Sequence, residues 1–154
     1  MKSVLFVCMA NICRSPVLEA TLRHLATQQG KAGNLYVDSC GIGWFHLGEH
    51  PDPRAFEAAK KRGILVDHRA QQFQEHFFDL FDHILTVDPV ISEQLKLLRS
   101  MIRRMAVKIT DFPAPVSPVR MFSPSPKEMV VLEMRTRFSI LRDCNMGCCL
   151  EMGF

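Results

Sequence analysis

The sequence lacks the features that define several large classes of protein. No apolar run approaches ~18 residues, so no segment is long enough to span a membrane. The net charge is only +3 over 154 residues, without the concentrated basic stripe typical of proteins that bind nucleic acid. The short apolar stretch at the N-terminus soon meets Asn11 and Arg14, which favours a strand over a signal peptide. We therefore expect a cytoplasmic protein whose six cysteines are reduced, each serving in packing or as a nucleophile.

The patterning that is present predicts one α/β domain. With 47% apolar residues, the chain can bury a core without disulfide bonds. The pairs Ser15-Pro16, Asp52-Pro53 and Asp88-Pro89 predict helix starts, each with an N-cap oxygen followed by proline at the first helical position. Short apolar runs predict buried parallel strands at residues 4–7, 35–37, 83–87 and 106–109. This alternation is typical of a three-layer, doubly wound domain with a small parallel sheet.

The character of the chain changes beyond about Asp111. Five of the nine prolines lie after Thr110, which predicts loop between residues 113 and 126. A last helix at residues 127–142 is a weak prediction, because residues 129–132 form an unbroken apolar run. We expect one domain over residues 1–154 with an atypical tail at 113–154, either poorly ordered or a frame-shifted read of an ordinary C-terminus.

The strongest chemical signal is the loop that follows the first predicted strand. Cys8 and Arg14 are separated by five residues, and the loop leads directly into a predicted helix. Backbone N–H groups of such a loop converge with the positive end of the helix to form a cradle for an oxyanion. Arg14 adds a planar fork suited to phosphate oxygens, and the same positive field favours a thiolate nucleophile at Cys8. The alternative is a buried strand cysteine beside a surface arginine.

Residues 7–16, Val-Cys-Met-Ala-Asn-Ile-Cys-Arg-Ser-Pro, resemble the signature loop of the low-molecular-weight protein tyrosine phosphatases. The resemblance covers about residues 1–110, including segments 37–41, 44–55, 63–64 and 81–86. It implies a four-stranded sheet in the flavodoxin-like order 2-1-3-4. It also implies hydrolysis of phosphotyrosine or aryl phosphates through a phosphocysteine on Cys8, without cofactor or metal. The implied partners are a phosphotyrosine protein or small aryl phosphate and inorganic phosphate, bound by a monomer.

The same resemblance assigns roles within the loop. Arg14 would bind the phosphoryl oxygens, and the phosphate-binding residues would be Met9, Ala10, Asn11, Ile12, Cys13 and Ser15. Asn11 would orient the loop through its side chain, and Ser15 would support the thiolate. Cys13 would be the partner of Cys8 in a reversible disulfide, the alternative being a plain buried cysteine. Trp44 and Phe45 would wall a slot for an aromatic ring, the alternative being ordinary packing.

The family's general acid is the feature that the sequence does not supply. Family members carry an Asp-Pro pair between the last strand and the last helix, but here Asp111 is followed by no aspartate until Asp143. Asp111 is the nearest candidate, although a turn residue at a strand end is the simpler interpretation. Two alternatives therefore stay open beside the phosphatase: a phosphate-binding module with impaired turnover, and arsenate reduction on the same fold, which needs relay thiols.

Overall fold

The sheet is the frame on which the rest of the domain is built. The computed structural model describes residues 1–109 and 129–131, with side chains through residue 104. Four strands run parallel in the order β2-β1-β3-β4. They are β1 (Lys2–Cys8), β2 (Leu35–Gly41), β3 (His83–Thr86) and β4 (Met129–Val131). The predicted parallel sheet and its 2-1-3-4 order are confirmed.

Helices cover both faces of this sheet. They are α1 (Arg14–Gln28), α2 (Pro53–Lys60), α3 (Phe77–Leu80) and α4 (Pro89–Ile109), with a 3₁₀ turn at Ala32–Asn34 before β2. Since successive strand side chains point to opposite faces, Phe6 of β1 packs with Leu18 of α1. Val7 packs on the other face with Ile91 and Leu95 of α4. The predicted three-layer α/β architecture is thus confirmed.

Two of the three predicted helix starts have the predicted geometry. The Asp52 carboxylate accepts the backbone N–H of Arg54 at 2.8 Å, directly before Pro53. The Asp88 carboxylate accepts the N–H of Ile91 at 2.9 Å at the start of α4. The third prediction is wrong, because the N-cap of α1 is Cys13 and Ser15 lies inside the first turn.

Two further predictions fail near the end of the described residues. Residues 106–109 were predicted as a strand but form the last turn of α4. Between Pro89 and Ile109 there is no glycine or further proline, so nothing ends the helix earlier. Residues 129–131, predicted inside a last helix, pair with β3 as a parallel strand, which suits an apolar run without helical periodicity. The rest of the predicted 127–142 helix lies outside the described residues.

Candidate active site

Cys8 ends β1 at the carboxyl edge of the sheet and is almost fully buried. Its Sγ accepts a hydrogen bond from the backbone N–H of Asn11 at 3.2 Å. The Ser15 hydroxyl lies 2.9 Å from the same sulfur. The Ser15 oxygen accepts from the Asn11 side chain at 2.9 Å, and its hydroxyl can donate to the Cys8 sulfur or, at 3.4 Å, to the Cys40 carbonyl. Two donors aimed at one thiol stabilise its anionic form, which is the nucleophilic form of cysteine.

The Asn11 side chain links the loop to the rest of the domain. Asn11 is 1% exposed and has a left-handed backbone with φ of 56°, a conformation that asparagine tolerates better than most residues. Its Oδ1 accepts the backbone N–H of Gln71 at 2.8 Å and His68 Nε2 at 2.7 Å. Its Nδ2 donates to Ser15 Oγ and Ser39 Oγ, both at 2.9 Å. Because a backbone N–H can only donate, the Gln71 contact fixes which end of the amide is oxygen.

A buried ion pair supports this asparagine. Glu19, 2% exposed, accepts from Ser39 Oγ at 2.7 Å and pairs with His68 Nδ1 at 3.1 Å and with Arg23 at 2.8 Å. The other ring nitrogen of His68 meets Asn11 Oδ1, which has no proton to give. The two ring nitrogens of His68 thus face two oxygens, Glu19 Oε2 and Asn11 Oδ1. These contacts compensate the charge of the buried Glu19 carboxylate.

One group among the described residues has the composition of a metal site. Glu19, Asp38 and His68 place one ligand atom each within 4.8 Å of one another. Those atoms already have partners, since Asp38 Oδ1 accepts from Ser39 N at 2.7 Å and Gln71 Nε2 at 2.8 Å. The arrangement is accounted for by hydrogen bonds and the ion pair.

Arg14 begins α1 beside the loop and forms an ion pair across the sheet edge. Its guanidinium nitrogen lies 3.0 Å from Asp88 Oδ2, with side chains 25% and 30% exposed, respectively. Asp88 Oδ1 is held by the N–H of Ile91, so one carboxylate both caps α4 and contacts Arg14. Sequence reasoning identified Asp88 only as a cap. Its place directly after β3 was the available signal, since ligands bind beyond the carboxyl ends of parallel strands.

The chain after β2 holds the start of the loop in place. Ile42 N–H donates to the Cys8 carbonyl at 3.0 Å, and Gly43 N–H donates to the Met9 carbonyl at 2.8 Å. A Cβ on Gly41 would lie 2.7 Å from the Met9 carbonyl oxygen. Because the atom in the way belongs to the backbone, only glycine allows the loop to approach β2 this closely.

The two predicted slot residues lie on the loop that follows β2. The Trp44 and Phe45 rings are 5.4 Å apart with planes inclined by 30°, and both are more than half exposed. The Phe45 ring folds back over Gly43, where a Cβ would lie 2.5 Å from it. Farther along, the N–H of Asp52 donates to the Ile12 carbonyl at 2.7 Å. The structure thus places an exposed aromatic surface next to the phosphate loop.

The three described cysteines, Cys8, Cys13 and Cys40, are buried thiols. Cys40 packs on the α4 side of the sheet, while Cys8 packs on the α1 side. Burial raises the pKa of Cys40 well above the usual range, and the charges of Cys8 and Asp38 add to this. Cys40 is therefore a protonated packing residue. Cys13 packs with Val17 between α1 and α2. Asp111, the predicted candidate acid, lies outside the described residues.

Comparison with known proteins gives a consistent result. The family model described as low molecular weight phosphotyrosine protein phosphatase matches residues 3–117. The Sus scrofa low molecular weight phosphotyrosine protein phosphatase is 39% identical over 108 residues, which cover 70% of this chain and 68% of the relative. The structure of YfkJ from Bacillus subtilis superposes with a TM-score of 0.60 at 44% identity, covering 66% of this chain and 62% of that one.

A third similar structure is DARP, described as drosophila arginine phosphatase, with a TM-score of 0.57 at 34% identity. The match covers 73% of this chain and 66% of DARP. The chain thus spans about two thirds of the length of these relatives. Among the described helices, none combines the length and apolar character needed to cross a membrane.

Proposed function

Because the chain belongs to the low-molecular-weight phosphotyrosine protein phosphatase family, we propose that it hydrolyses phosphotyrosine and aryl phosphates through a phosphocysteine on Cys8. The observation that carries the proposal is the pair of contacts on the Cys8 sulfur, with Asn11 N–H at 3.2 Å and with Ser15 Oγ at 2.9 Å. Arg14, at the other end of the same loop, supplies the cation. The phosphate-binding residues in this proposal are Met9, Ala10, Asn11, Ile12, Cys13 and Ser15.

The reaction proceeds in two displacements at phosphorus. The Cys8 thiolate attacks the phosphoryl group, the bond from phosphorus to the phenolic oxygen breaks, and that oxygen leaves with the electron pair and takes up a proton. Water then attacks the phosphocysteine and gives up a proton, and the P–S bond breaks to return the thiolate. Loop N–H groups and the Arg14 fork hold the phosphoryl oxygens as charge builds on them. The product is inorganic phosphate.

The substrate side of the proposal rests on the aromatic surface of Trp44 and Phe45. Flat rings at the mouth of a phosphate cradle suit an aryl leaving group, because aromatic pairs add attraction beyond area burial. We propose a monomer, because Cys8 and Arg14 lie in one short loop of the sequence. We also propose the cytoplasm as its compartment, since Cys8, Cys13 and Cys40 are all thiols.

The test is pre-steady-state turnover of para-nitrophenyl phosphate by the full chain, with Cys8→Ser and Cys40→Ser as matched variants. We expect a nitrophenolate burst that is absent in Cys8→Ser and retained in Cys40→Ser. A burst that survives Cys8→Ser would contradict the proposal. A phosphotyrosine peptide and a phosphoarginine peptide are assayed in parallel, the latter because DARP is described as an arginine phosphatase.

The peptide assays separate the two candidate functions. Release of phosphate from the phosphotyrosine peptide supports the phosphatase. A stable complex with that peptide, with no phosphate released from it or from nitrophenyl phosphate, would favour the binding module. The observation behind that second candidate is the lack of aspartate between Asp111 and Asp143.

Cys13 is proposed as the redox partner of Cys8. Peroxide would oxidise the Cys8 thiolate to a sulfenic acid, and the Cys13 thiol would attack it, releasing water and forming a disulfide. Cys40 is unsuited to the role because it packs on the opposite face of the sheet. Reductant should restore activity to peroxide-treated wild type but not to Cys13→Ser. Equal recovery of the two would contradict the assignment.

We propose further that residues 113–154 are an atypical tail of the single domain, encoded by a frame-shifted read of the family's C-terminus. In support, the family match ends at residue 117. Sequencing the gene tests the frame-shift, which requires an alternative frame encoding an Asp-Pro loop. If no frame encodes one, the frame-shift is excluded.

A further inference from the structure

We propose that the Gln71 side chain is a positioning residue for the Cys8 nucleophile and that it acts through Asn11. The inference rests on the proposed function and deepens it. It is carried by contacts that one residue makes in two directions. The Gln71 side-chain amide donates twice to β2, and the Gln71 backbone N–H donates to Asn11 Oδ1 at 2.8 Å.

The segment that contains Gln71 has no regular structure of its own. Residues 64–71, between α2 and α3, belong to no helix or strand. This segment nevertheless supplies both groups that contact Asn11 Oδ1, the Gln71 N–H at 2.8 Å and His68 Nε2 at 2.7 Å. Without the hydrogen bonds of a helix or strand, a segment keeps its position through contacts with its neighbours. The contacts of Gln71 therefore decide where its N–H points.

The Gln71 amide joins the segment to the outer edge of β2. Its Nε2 donates to Asp38 Oδ1 at 2.8 Å and to the Ser39 carbonyl at 2.9 Å. Because a backbone carbonyl can only accept, the nitrogen end of the amide faces β2, and its two hydrogens serve the two acceptors. Two bonds from one rigid amide fix the orientation of residue 71 relative to the strand as well as its distance.

Backbone contacts also hold this part of the segment, and they limit the effect of the side chain. The Gln71 carbonyl accepts the N–H of Gly41 at 2.8 Å, and the N–H of Ala70 donates to the Glu49 carbonyl at 2.9 Å. These bonds remain when the Gln71 side chain is replaced, so the segment should stay against β2. The replacement removes the two bonds that orient residue 71, and with them the fixed direction of its N–H.

The position of the Asn11 amide affects both contacts on the Cys8 sulfur. The Asn11 backbone N–H lies 3.2 Å from the sulfur. The Asn11 Nδ2 donates to the Ser15 hydroxyl, which lies 2.9 Å from the same sulfur. Since Asn11 is only 1% exposed, bulk water has little access to replace a lost partner. A displaced Gln71 N–H therefore disturbs the environment of the nucleophile.

The experiment compares wild type, Gln71→Met, Gln71→Asn and the matched control Gln74→Met, all in the full chain. Methionine has the length of glutamine without its amide, asparagine keeps the amide on a shorter side chain, and Gln74 is an exposed glutamine of the same segment. The measurements are kcat/KM for nitrophenyl phosphate and the ¹H–¹⁵N signals of the Asn11 backbone N–H and side-chain amide.

We expect Gln71→Met to lower kcat/KM by about tenfold or more, because misplacing catalytic groups by about 1 Å can cost on the order of 10²-fold. Both Asn11 signals should shift in this variant. Gln71→Asn should be intermediate, because the shorter side chain cannot reach both acceptors on β2. Gln74→Met should match wild type in kcat/KM and in the Asn11 signals.

A fall in kcat/KM together with shifted Asn11 signals supports positioning through Asn11. The proposal is overturned if Gln71→Met unfolds at a lower urea concentration but keeps wild-type kcat/KM and wild-type Asn11 signals, since the side chain is then only structural. It is also overturned if kcat/KM falls while the Asn11 signals do not move. If Gln71→Met does not fold, Gln71→Asn decides between the same outcomes. A wild type without any Cys8-dependent burst would instead refute the proposed function itself.

Discussion

Replacing Asn11 by alanine should remove the support of the phosphate loop. The side chain makes four hydrogen bonds, to Ser15, Ser39, His68 and the backbone of Gln71. At about 1 kcal/mol each, these contribute about 4 kcal/mol to the free energy of unfolding. A left-handed backbone with φ of 56° costs alanine a further ~1 kcal/mol. We therefore expect Asn11→Ala to lower the free energy of unfolding by about 4–5 kcal/mol.

The same change should affect catalysis, because the Asn11 side chain holds the loop whose backbone N–H at residue 11 contacts the Cys8 sulfur. Alanine keeps this N–H but no longer fixes its position, and misplacing one preorganised donor costs on the order of 10²-fold in turnover. Urea unfolding measures the stability, and kcat/KM for nitrophenyl phosphate measures the catalytic effect. Asn11→Asp retains the acceptor oxygen for Gln71 and His68 but replaces the donor to Ser15 and Ser39 by an acceptor and buries a charge beside the Cys8 sulfur, so it should lose both stability and activity.

Asn34, which is exposed in the 3₁₀ turn before β2, provides the control. Asn34→Ala should change the free energy of unfolding by less than about 0.5 kcal/mol. The reasoning is refuted if Asn11→Ala is as stable as Asn34→Ala, or if it keeps wild-type kcat/KM. Either result would mean that the loop is held by its backbone contacts to β2 and not by the Asn11 amide.

Three other changes test separate parts of the site. Gly41→Ala forces a Cβ to within 2.7 Å of the Met9 carbonyl oxygen, so the free energy of unfolding should fall by about 1–3 kcal/mol, with kcat/KM reduced; Gly33→Ala, which has open space around it, should have neither effect. Asp52→Ala should cost about 1 kcal/mol in urea unfolding near neutral pH. The Arg54 hydrogen bond lowers the pKa of Asp52 in the folded protein. The contribution of Asp52 to the free energy of unfolding is therefore complete above about pH 4 and disappears as the pH falls through that lowered pKa. A difference between wild type and Asp52→Ala that does not change with pH would contradict this prediction. Iodoacetamide should label Cys8 long before Cys40, whose pKa burial raises; comparable labelling rates by peptide mass spectrometry would contradict this assignment.

The fold could be predicted because its signals are local. A capping aspartate before a proline and a run of apolar residues each act over a few positions, and Asp52-Pro53 and Asp88-Pro89 begin helices where expected. The helix start predicted at Ser15-Pro16 is wrong, and the reason is also local. The helix begins at Arg14 with Cys13 at the N-cap, and the Ser15 hydroxyl contacts the Cys8 sulfur at 2.9 Å. Ser15 is a residue type that often caps helices, but here its side chain contacts the residues of the candidate active site.

The strand predictions show where local signals stop being sufficient. Residues 106–109 are rich enough in branched side chains to resemble a strand, yet they follow a long helix that nothing interrupts. Residues 129–131 form β4 because β3 offers an open edge beside them. Whether an apolar segment of this length becomes helix or strand depends on the neighbour it pairs with. That neighbour is about 45 residues away in the chain, beyond the reach of periodicity arguments.

The site residues are also of two kinds, those close together in the sequence and those brought together by the fold. The sequence analysis missed residues of the second kind. Cys8 and Arg14 lie in one short loop, so their spacing alone indicates an anion cradle. His68 is 57 residues from Asn11, and Asp88 is 74 residues from Arg14; neither has a motif of its own. Asp88 is the more instructive case, since one of its oxygens has a local use, capping α4, and this use was predicted. The other oxygen acquires its role only when the parallel strands bring the ends of β1 and β3 to one edge. A residue whose local role is already accounted for can therefore carry a second role that only the fold reveals, and carboxylates at strand ends are where such roles should be sought first.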